Sequence, residues 1–486
     1  MRGLKAGPIL AALAAGLATL SACSFPVRNL GIAPDNPRYR YDTLGGVALS
    51  DTLVIVTASG GGTRATALTM AVLATMGRID LGNGRSLADK IDIVSSVSGG
   101  SVAAAYFALY GTGGLGNLET QFVRQNGMAA MITRGIASLP ALAAPGLERI
   151  DLLVDYLDRT LFANTTFQAL IDRKTRPYLI LNAADMVEGT PFPFTQYTLD
   201  LLCSDLSRIK LSTAVAASAA FPTALSPITL KNYRAAGNPP CPRAGETGWV
   251  DTALGGTWRD NPARVARART AHAYMTGDKA YVHLLDGGIS DNLGVAEPYR
   301  LLTGDDVSPL FKRRIAAGEI KKVVFVMINA RNAAKSDLDA KPDTPGILDM
   351  LLASISSSID RNTFSTAERL RTLLTRQWLD DANERDNAGQ HATAANFRTV
   401  ANNTQFVTVD FDAIPDTLAA CRDRFHGIAT SWSLGNDEID GLIAMGEALL
   451  ADGKPFQDLM KLVGGTPTRN FLSVAEACGT LPAKKN

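Results

Sequence analysis

Ser98 lies in the run Ser96-Val97-Ser98-Gly99-Gly100, straight after the apolar stretch Ile91-Asp92-Ile93-Val94-Ser95. A serine hydroxyl is a weak nucleophile until it is exposed, aimed and relieved of its proton. A sharp strand-to-helix turn does the aiming, and it needs small residues two positions away on either side. The usual pattern is Gly-x-Ser-x-Gly. Here Ser96 replaces the first glycine and Gly100 keeps the second. Gly99 and Gly100 clear side chains from the start of the next helix, whose free N–H groups and partial positive charge then face the serine. Gly-rich strand–helix turns also occur without chemistry, so this run needs company.

It has company upstream. Ser59-Gly60-Gly61-Gly62-Thr63-Arg64 follows the apolar run Leu53 to Val56. Three glycines let successive backbone N–H groups converge on one point, the arrangement that holds the oxyanion of a tetrahedral intermediate. A nucleotide P-loop would end in Gly-Lys-Ser/Thr, which is missing. Gly60 to Ala65 fits a dinucleotide fingerprint in spacing, but the next strand ends Val94-Ser95-Ser96, with no acid for a ribose. Arg64 falls on the first turn of the following helix. Two readings stand for it: a guanidinium that holds an anionic head group such as a phospholipid phosphate, or a pin that fixes the loop through a carboxylate.

Downstream, Asp286-Gly287-Gly288 follows the apolar run Tyr281 to Leu285. An Asp at a strand end sits where α/β active sites gather, and partial desolvation makes it a better base. A plain turn aspartate is the competing reading. Ser290-Asp291-Asn292 adds polar groups suited to orienting Asp286. A conventional triad needs a histidine, and the chain has four: His272, His283, His391 and His426. His283 is an odd number of residues from Asp286 on one strand, which puts the two side chains on opposite faces. The other three lie outside any strand-end or glycine signature. A Ser98–Asp286 dyad, with the carboxylate taking the hydroxyl proton directly, accounts for the pattern.

The elements that must position these groups are legible. Leu53 to Val56, Ile91 to Ser95, Tyr178 to Ala183, Tyr281 to Leu285 and Val323 to Ile328 are continuous apolar runs, as strands buried on both faces require. Phe406 to Phe411 alternates like a strand. Helical spacing runs through Thr63 to Arg78, Val102 to Tyr110, Ser212 to Ala220, Thr344 to Asn383, Asp437 to Ala451 and Val474 to Cys478. Strand, glycine turn and helix, repeated twice in quick succession, predict a mainly parallel α/β sheet. Residues 113–165 read as short helices that form a mobile cap, and 232–262 as a long polar surface loop.

The three blocks resemble those of the patatin-like and cytosolic phospholipase A superfamily. Ala217-Ser218-Ala219-Ala220-Phe221-Pro222 is similar to that family's small-residue helix between the second and third blocks. The similarity covers roughly residues 51–300. It implies a three-layer α/β/α fold, Ser98–Asp286 dyad catalysis, an oxyanion hole on Gly60, Gly61 and Gly62 helped by Gly99, and neither metal nor cofactor. Ala65 stands where patatins often carry Gly, which leans toward the cytosolic phospholipase branch. The expected activity is phospholipase A or lysophospholipase. A non-lipid serine esterase with a recruited histidine and a lipid-binding lipoprotein without turnover are the alternatives.

Composition bounds the rest. The 486 residues are 46% hydrophobic and 20% charged, with a net charge of +1. That suits a full buried core and supplies no broad field for nucleic acid. Arg2 and Lys5, the apolar Ile9 to Leu20 and then Leu20-Ser21-Ala22-Cys23 form an export signal that resembles the bacterial lipobox, with Cys23 as the lipidated residue. A membrane-spanning anchor is the weaker reading: the uncharged stretch barely reaches spanning length, and Pro8 interrupts it. Ser24 after the cysteine, where retention in the inner membrane usually shows Asp, sends the protein by that resemblance to the periplasmic face of the outer membrane. The expected organisation is therefore a signal peptide over 1–22, a tether over 23–50, a catalytic core over 51–335 and a mostly helical extension over 336–486. Cys203, Cys241, Cys421 and Cys478 permit two disulfides, and Cys203–Cys241 with Cys421–Cys478 closes the shortest loops. No Cys-x-x-Cys pair suggests zinc or a redox dithiol.

Overall fold

The structure is a computed structural model that describes residues 28–481 apart from 33–38, 42–49, 128, 130–147, 223, 236–240, 242–246, 258, 260, 305–308 and 333–346. The signal peptide, Cys23 and the middle of the expected cap lie outside the described residues. Among the described residues no helix is long and apolar enough to cross a membrane.

One eight-stranded sheet carries the site. Its strands are β1 (Thr52–Ala58), β2 (Ile91–Val97), β3 (Tyr178–Asp185), β4 (Pro191–Pro193), β5 (Ile228–Lys231), β6 (Tyr281–Asp286), β7 (Lys322–Asn329) and β8 (Thr404–Asp410). The order is β5-β6-β3-β2-β1-β7-β8, with β4 paired to β3. β1, β2 and β3 are buried at every position, as their unbroken apolar runs demand. Asp92 is the charged exception on β2, beside the buried Ser95 and Ser96. Its carboxylate accepts the Val54 N–H at 2.8 Å and pairs with Arg176, and the β1–β2 register shifts at that point.

β3, β2, β1, β7 and β8 run parallel. β6 does not: it pairs antiparallel with both β3 and β5. The expected strand therefore exists, but it enters the sheet from the carboxyl edge and stops after Ala183↔Asp286. β8 belongs to the expected helical extension, so the extension adds an edge strand to the core sheet as well as packing on it.

Helices flank the sheet. They include α1 (Gly62–Met76), α2 (Ser98–Tyr110), α3 (Leu211–Ser218), α4 (Gly248–Gly255), α5 (Pro262–Met275), α6 (Ile347–Asn387), α7 (His391–Asn402) and α8 (Asn436–Leu450). α1 is buried along nearly its whole length because α8 covers it. Gly446 has no side chain where a Cβ would lie 2.8 Å from the Ala71 Cβ. α4 occupies part of the segment expected to be a loop; its Val250 and Ala253 face the core. The two ends of 113–165 form short helices, and Leu115, Phe122, Leu153 and Tyr156 pack inward.

The tether expectation is corrected where residues 23–50 are described. Tyr39 is fully buried, stacks on Tyr178 at 4.6 Å and accepts the Leu179 N–H at 2.6 Å. Arg40 pairs with Asp200, Arg28 with Asp151 at 2.6 Å, and Gly31 bridges Ser204. Aromatic rings of this size gain more from burial than a solvated leash would allow, so the segment docks. Cys203 is bonded to Cys241 and Cys421 to Cys478.

Candidate active site

Register brings the two principal side chains together. Asn182 of β3 pairs with Val97, and the next residue, Ala183, pairs with Asp286. Ser98 follows Val97 directly, so one strand sets the positions of both groups. A Cβ on Gly287 would touch Val97 at 3.1 Å. The Ser98 hydroxyl lies near enough to the Asp286 carboxylate to favour its charged form. None of the four histidines hydrogen-bonds to either group. His283 pairs with Thr229, His426 with Asp412 and His391 with Asp386, while His272 is exposed on α5.

Ser98 has φ 49°, a left-handed conformation that a serine adopts only under constraint. The constraint comes from three sides. The Ser98 N–H donates to Ser218 Oγ at 2.9 Å, and Ser218 in turn donates to the Asn182 carbonyl at 2.6 Å. Ser96 is fully buried with its hydroxyl 3.2 Å from that of Ser101, so the residue that replaces glycine fits the elbow by joining a polar layer beneath it. Gly99 presses against the glycine loop: a Cβ there would lie 2.0 Å from the Gly62 carbonyl oxygen.

The C-terminal end of α3 and the residues just after it clamp both halves of the site. The Asp286 N–H donates to the Ala220 carbonyl at 3.0 Å and the Gly287 N–H to the Ser218 carbonyl at 3.1 Å. Ser218 thus touches the elbow through its hydroxyl and the aspartate loop through its carbonyl. Sequence reading marked this helix only by its small residues. Smallness signals close approach, but it does not say to what.

Asp286 is 5% exposed and Ser98 7%. Burial pushes the Asp286 pKa up to about 6, against the opposing pull of the Gly288 N–H at 2.8 Å and the Ser98 hydroxyl. Burial likewise raises Asp291 to about 6, opposed by backbone N–H groups of which Ala296 is the nearest at 2.7 Å. Ser290, Asp291 and Asn292 do not orient Asp286 as expected. Asp291 folds its own loop, the Ser290 hydroxyl donates to the Gly287 carbonyl, and Asn292 takes the Gly60 N–H on both its side-chain oxygen (3.1 Å) and its carbonyl (3.3 Å).

That last contact corrects the membership of the glycine loop, because the Gly60 amide is already committed. The N–H groups of Gly61 and Gly62 have no acceptor among the described residues, and Gly99 lies in the first turn of α2 behind them. Gly62 has φ 59°, and a Cβ there would lie 2.5 Å from the Ser431 carbonyl oxygen. The same oxygen accepts the Thr63 N–H at 2.8 Å.

Arg64 is turned into the protein. It is 2% exposed and donates from Nε to the Ala330 carbonyl at 2.8 Å and from Nη1 to the Ile428 carbonyl at 2.5 Å. Of the two readings, the pin is the one this geometry fits, though the acceptors are carbonyls of β7's end and the extension rather than a carboxylate. Its charge stays beneath the loop, where a Cβ on Gly61 would lie 3.1 Å from Nη2.

A cavity of about 320 Å³ lies beside the site, lined by Phe192, Tyr197, Trp249, Tyr274, Ala296 and Tyr299 among others, and by neither Ser98 nor Asp286. Phe192 pairs with Ala183, which pairs with Asp286. Pro191 and Pro193 line the cavity as well, so it lies at the β4 edge of β3, across that strand from Asp286. Among the described residues no group of three His, Cys, Asp or Glu side chains is placed to hold a metal ion.

A mainly parallel α/β sheet with a strained serine at an elbow and a buried aspartate beside it defines a class, the α/β acyl hydrolases. Comparison with known proteins gives the family. The sequence model of the patatin-like phospholipases matches residues 56–299, half of the chain. The chain belongs to that family. Among solved structures it is similar to human GIVD cytosolic phospholipase A2, with 14% identity and a TM-score of 0.33 over 57% of this chain and 45% of that one. The alignment thus spans less than half of that protein's length. No curated protein matches.

Proposed function

We propose that the protein hydrolyses the acyl ester of membrane phospholipids or lysophospholipids through a Ser98–Asp286 dyad. The observation that carries this reading is the juxtaposition, set by one strand's register, of a serine in left-handed strain and a buried carboxylate whose pKa is raised to about 6. As Ser98 Oγ attacks the ester carbonyl carbon, its proton passes to Asp286. The oxyanion settles on the N–H groups of Gly61, Gly62 and Gly99. Asp286 then gives the proton to the departing alkoxide oxygen, and the lysolipid or glycerol moiety leaves. A water molecule yields a proton to the same carboxylate and attacks the acyl-enzyme, releasing the fatty acid and restoring Ser98. The cavity at Phe192, mostly apolar but with Arg267, Glu297 and Arg300 also on its wall, is the place assigned to the acyl chain.

Export and lipidation of Cys23 complete the proposal, with the periplasmic face of the outer membrane as destination. Two disulfides suit an oxidising compartment. The experiment is a fluorophosphonate label together with a fatty-acid release assay on phospholipid. Wild type is expected to react and turn over, and Ser98→Ala to do neither. Turnover by Ser98→Ala, or loss of labelling in a His272, His391 or His426 variant, would overturn the dyad. A wild type that takes no label would leave a lipid-binding protein without chemistry.

A further inference from the structure

The described residues expose few large apolar side chains, and four of them gather at one edge of the sheet. Met186 and Val187, at the tip of the turn between β3 and β4, are 47% and 68% exposed; Tyr281, which opens β6, is 54% exposed and Leu30 40%. Hydrogen bonds tie these residues together. The Met186 N–H donates to the His283 carbonyl at 2.8 Å, and Lys279 pairs with Glu188 across the same turn. Tyr281 pairs in register with Lys231, and Asn29 holds both the N–H (2.8 Å) and the carbonyl (2.9 Å) of Lys231, with Leu30 next in the chain. The turn caps β3, the strand that carries Ala183 and so the register of Asp286. The cluster therefore lies on the dyad's edge of the sheet.

The chain itself says what covers this edge. Arg28 is fixed to Asp151 and Asn29 to β5. Only four residues lie between Cys23 and Arg28, so the Cys23 backbone sits at most about 17 Å from the docked segment. A leash that short holds the body against the bilayer instead of letting it stand off. Tyr281 and Lys231, which face the same way as a directly paired couple, are residue types at home where hydrocarbon meets head groups.

We propose that Leu30, Met186, Val187 and Tyr281 form the surface that lies on the lipid bilayer, presenting the carboxyl edge of the sheet, and with it the dyad, to membrane lipid. The inference rests on Cys23 as the lipidated residue and on the hydrolase reading above. The test uses the full lipidated chain carrying Ser98→Ala, reconstituted on phosphatidylethanolamine–phosphatidylglycerol vesicles. A solvent-sensitive fluorophore is attached through Val187→Cys, or for comparison through Leu379→Cys on α6. The label at 187 is expected to shift to the blue and to be quenched by nitroxide-bearing lipid, while that at 379 stays in water. In the active chain, Val187→Asp is expected to slow hydrolysis of vesicle lipid by at least about tenfold, the scale of one apolar side chain removed from hydrocarbon. Its turnover of a soluble short-chain ester should match wild type. Equal behaviour of the two labels, or wild-type hydrolysis of vesicles by Val187→Asp, would overturn the surface. The label needs no turnover, so an active Ser98→Ala chain would sink the dyad while the shift at 187 still decides the docking face.

Discussion

Replacing Asp286 with Asn tests the base in two currencies at once. The amide is nearly isosteric with the carboxyl: its oxygen can still accept the Gly288 N–H, and its NH2 can meet the Ser98 hydroxyl. It cannot take a proton, so hydrolysis is expected to fall by about 10²–10⁴, the usual contribution of a positioned general base. In wild type, kcat/KM should rise with pH through a midpoint near 6, as Asp286 ionises. Stability should move the opposite way. The folded pKa is raised from 3.8 to about 6, so this group's contribution is intact below pH 4 and is lost as pH climbs through 6. The shift corresponds to about 3 kcal/mol. Asp286→Asn, uncharged throughout, is expected to match wild type near pH 4 and to exceed it by about 3 kcal/mol above pH 7 in denaturant unfolding. Asp291, raised by the same cause, titrates in both proteins and cancels in the comparison. A variant that keeps activity within tenfold of wild type, or that gains no stability at pH 8, would refute the assignment of Asp286 as a buried base.

Three further outcomes follow from contacts around the dyad. Ser218→Ala removes the acceptor of the Ser98 N–H and should lower kcat by about tenfold or more with little change in KM, since a net hydrogen bond of about 1 kcal/mol and the elbow's strain both depend on it; steady-state kinetics on a soluble ester read the split. Arg64→Met strips the Ala330 and Ile428 carbonyls of their donor and should cost about 2–3 kcal/mol of stability as well as activity, whereas Arg64→Lys should recover part of both; unfolding and rate measurements on the pair check this. Ala296→Phe projects into the cavity behind Phe192 and should shift preference from long to short acyl chains, read as a kcat/KM ratio across p-nitrophenyl esters.

Much of the fold was legible because its central strands are buried on both faces, which writes itself as unbroken apolar runs from Leu53, Ile91, Tyr178 and Val323. The direction of β6 was not legible. Tyr281 to Leu285 has the same look whichever way it runs, and only its pairing with Ala184 and Asp185 shows that it enters from the carboxyl edge. Ser98, Asp286 and the glycine loop were legible because strained turns need small residues at fixed offsets. Arg64 was not, because an arginine on a first helical turn reads alike whether it meets solvent or a carbonyl. Its acceptor at Ile428 is 364 residues away. Asn292, expected to orient Asp286, instead holds Gly60, and Ser218 had no assigned contact, for the same reason: their polar groups serve partners remote in sequence.

The carbonyl of Ser431 over Gly62 and Thr63 bears on the order in which the site is completed. Ribosomes make the elbow and the aspartate long before Ile428 and Ser431, and the Cys421–Cys478 bond that staples their neighbourhood closes only where thiols oxidise. A half-made or reduced polypeptide therefore holds its nucleophile beside a glycine loop that still lacks its outer support. The support of the glycine loop therefore comes last.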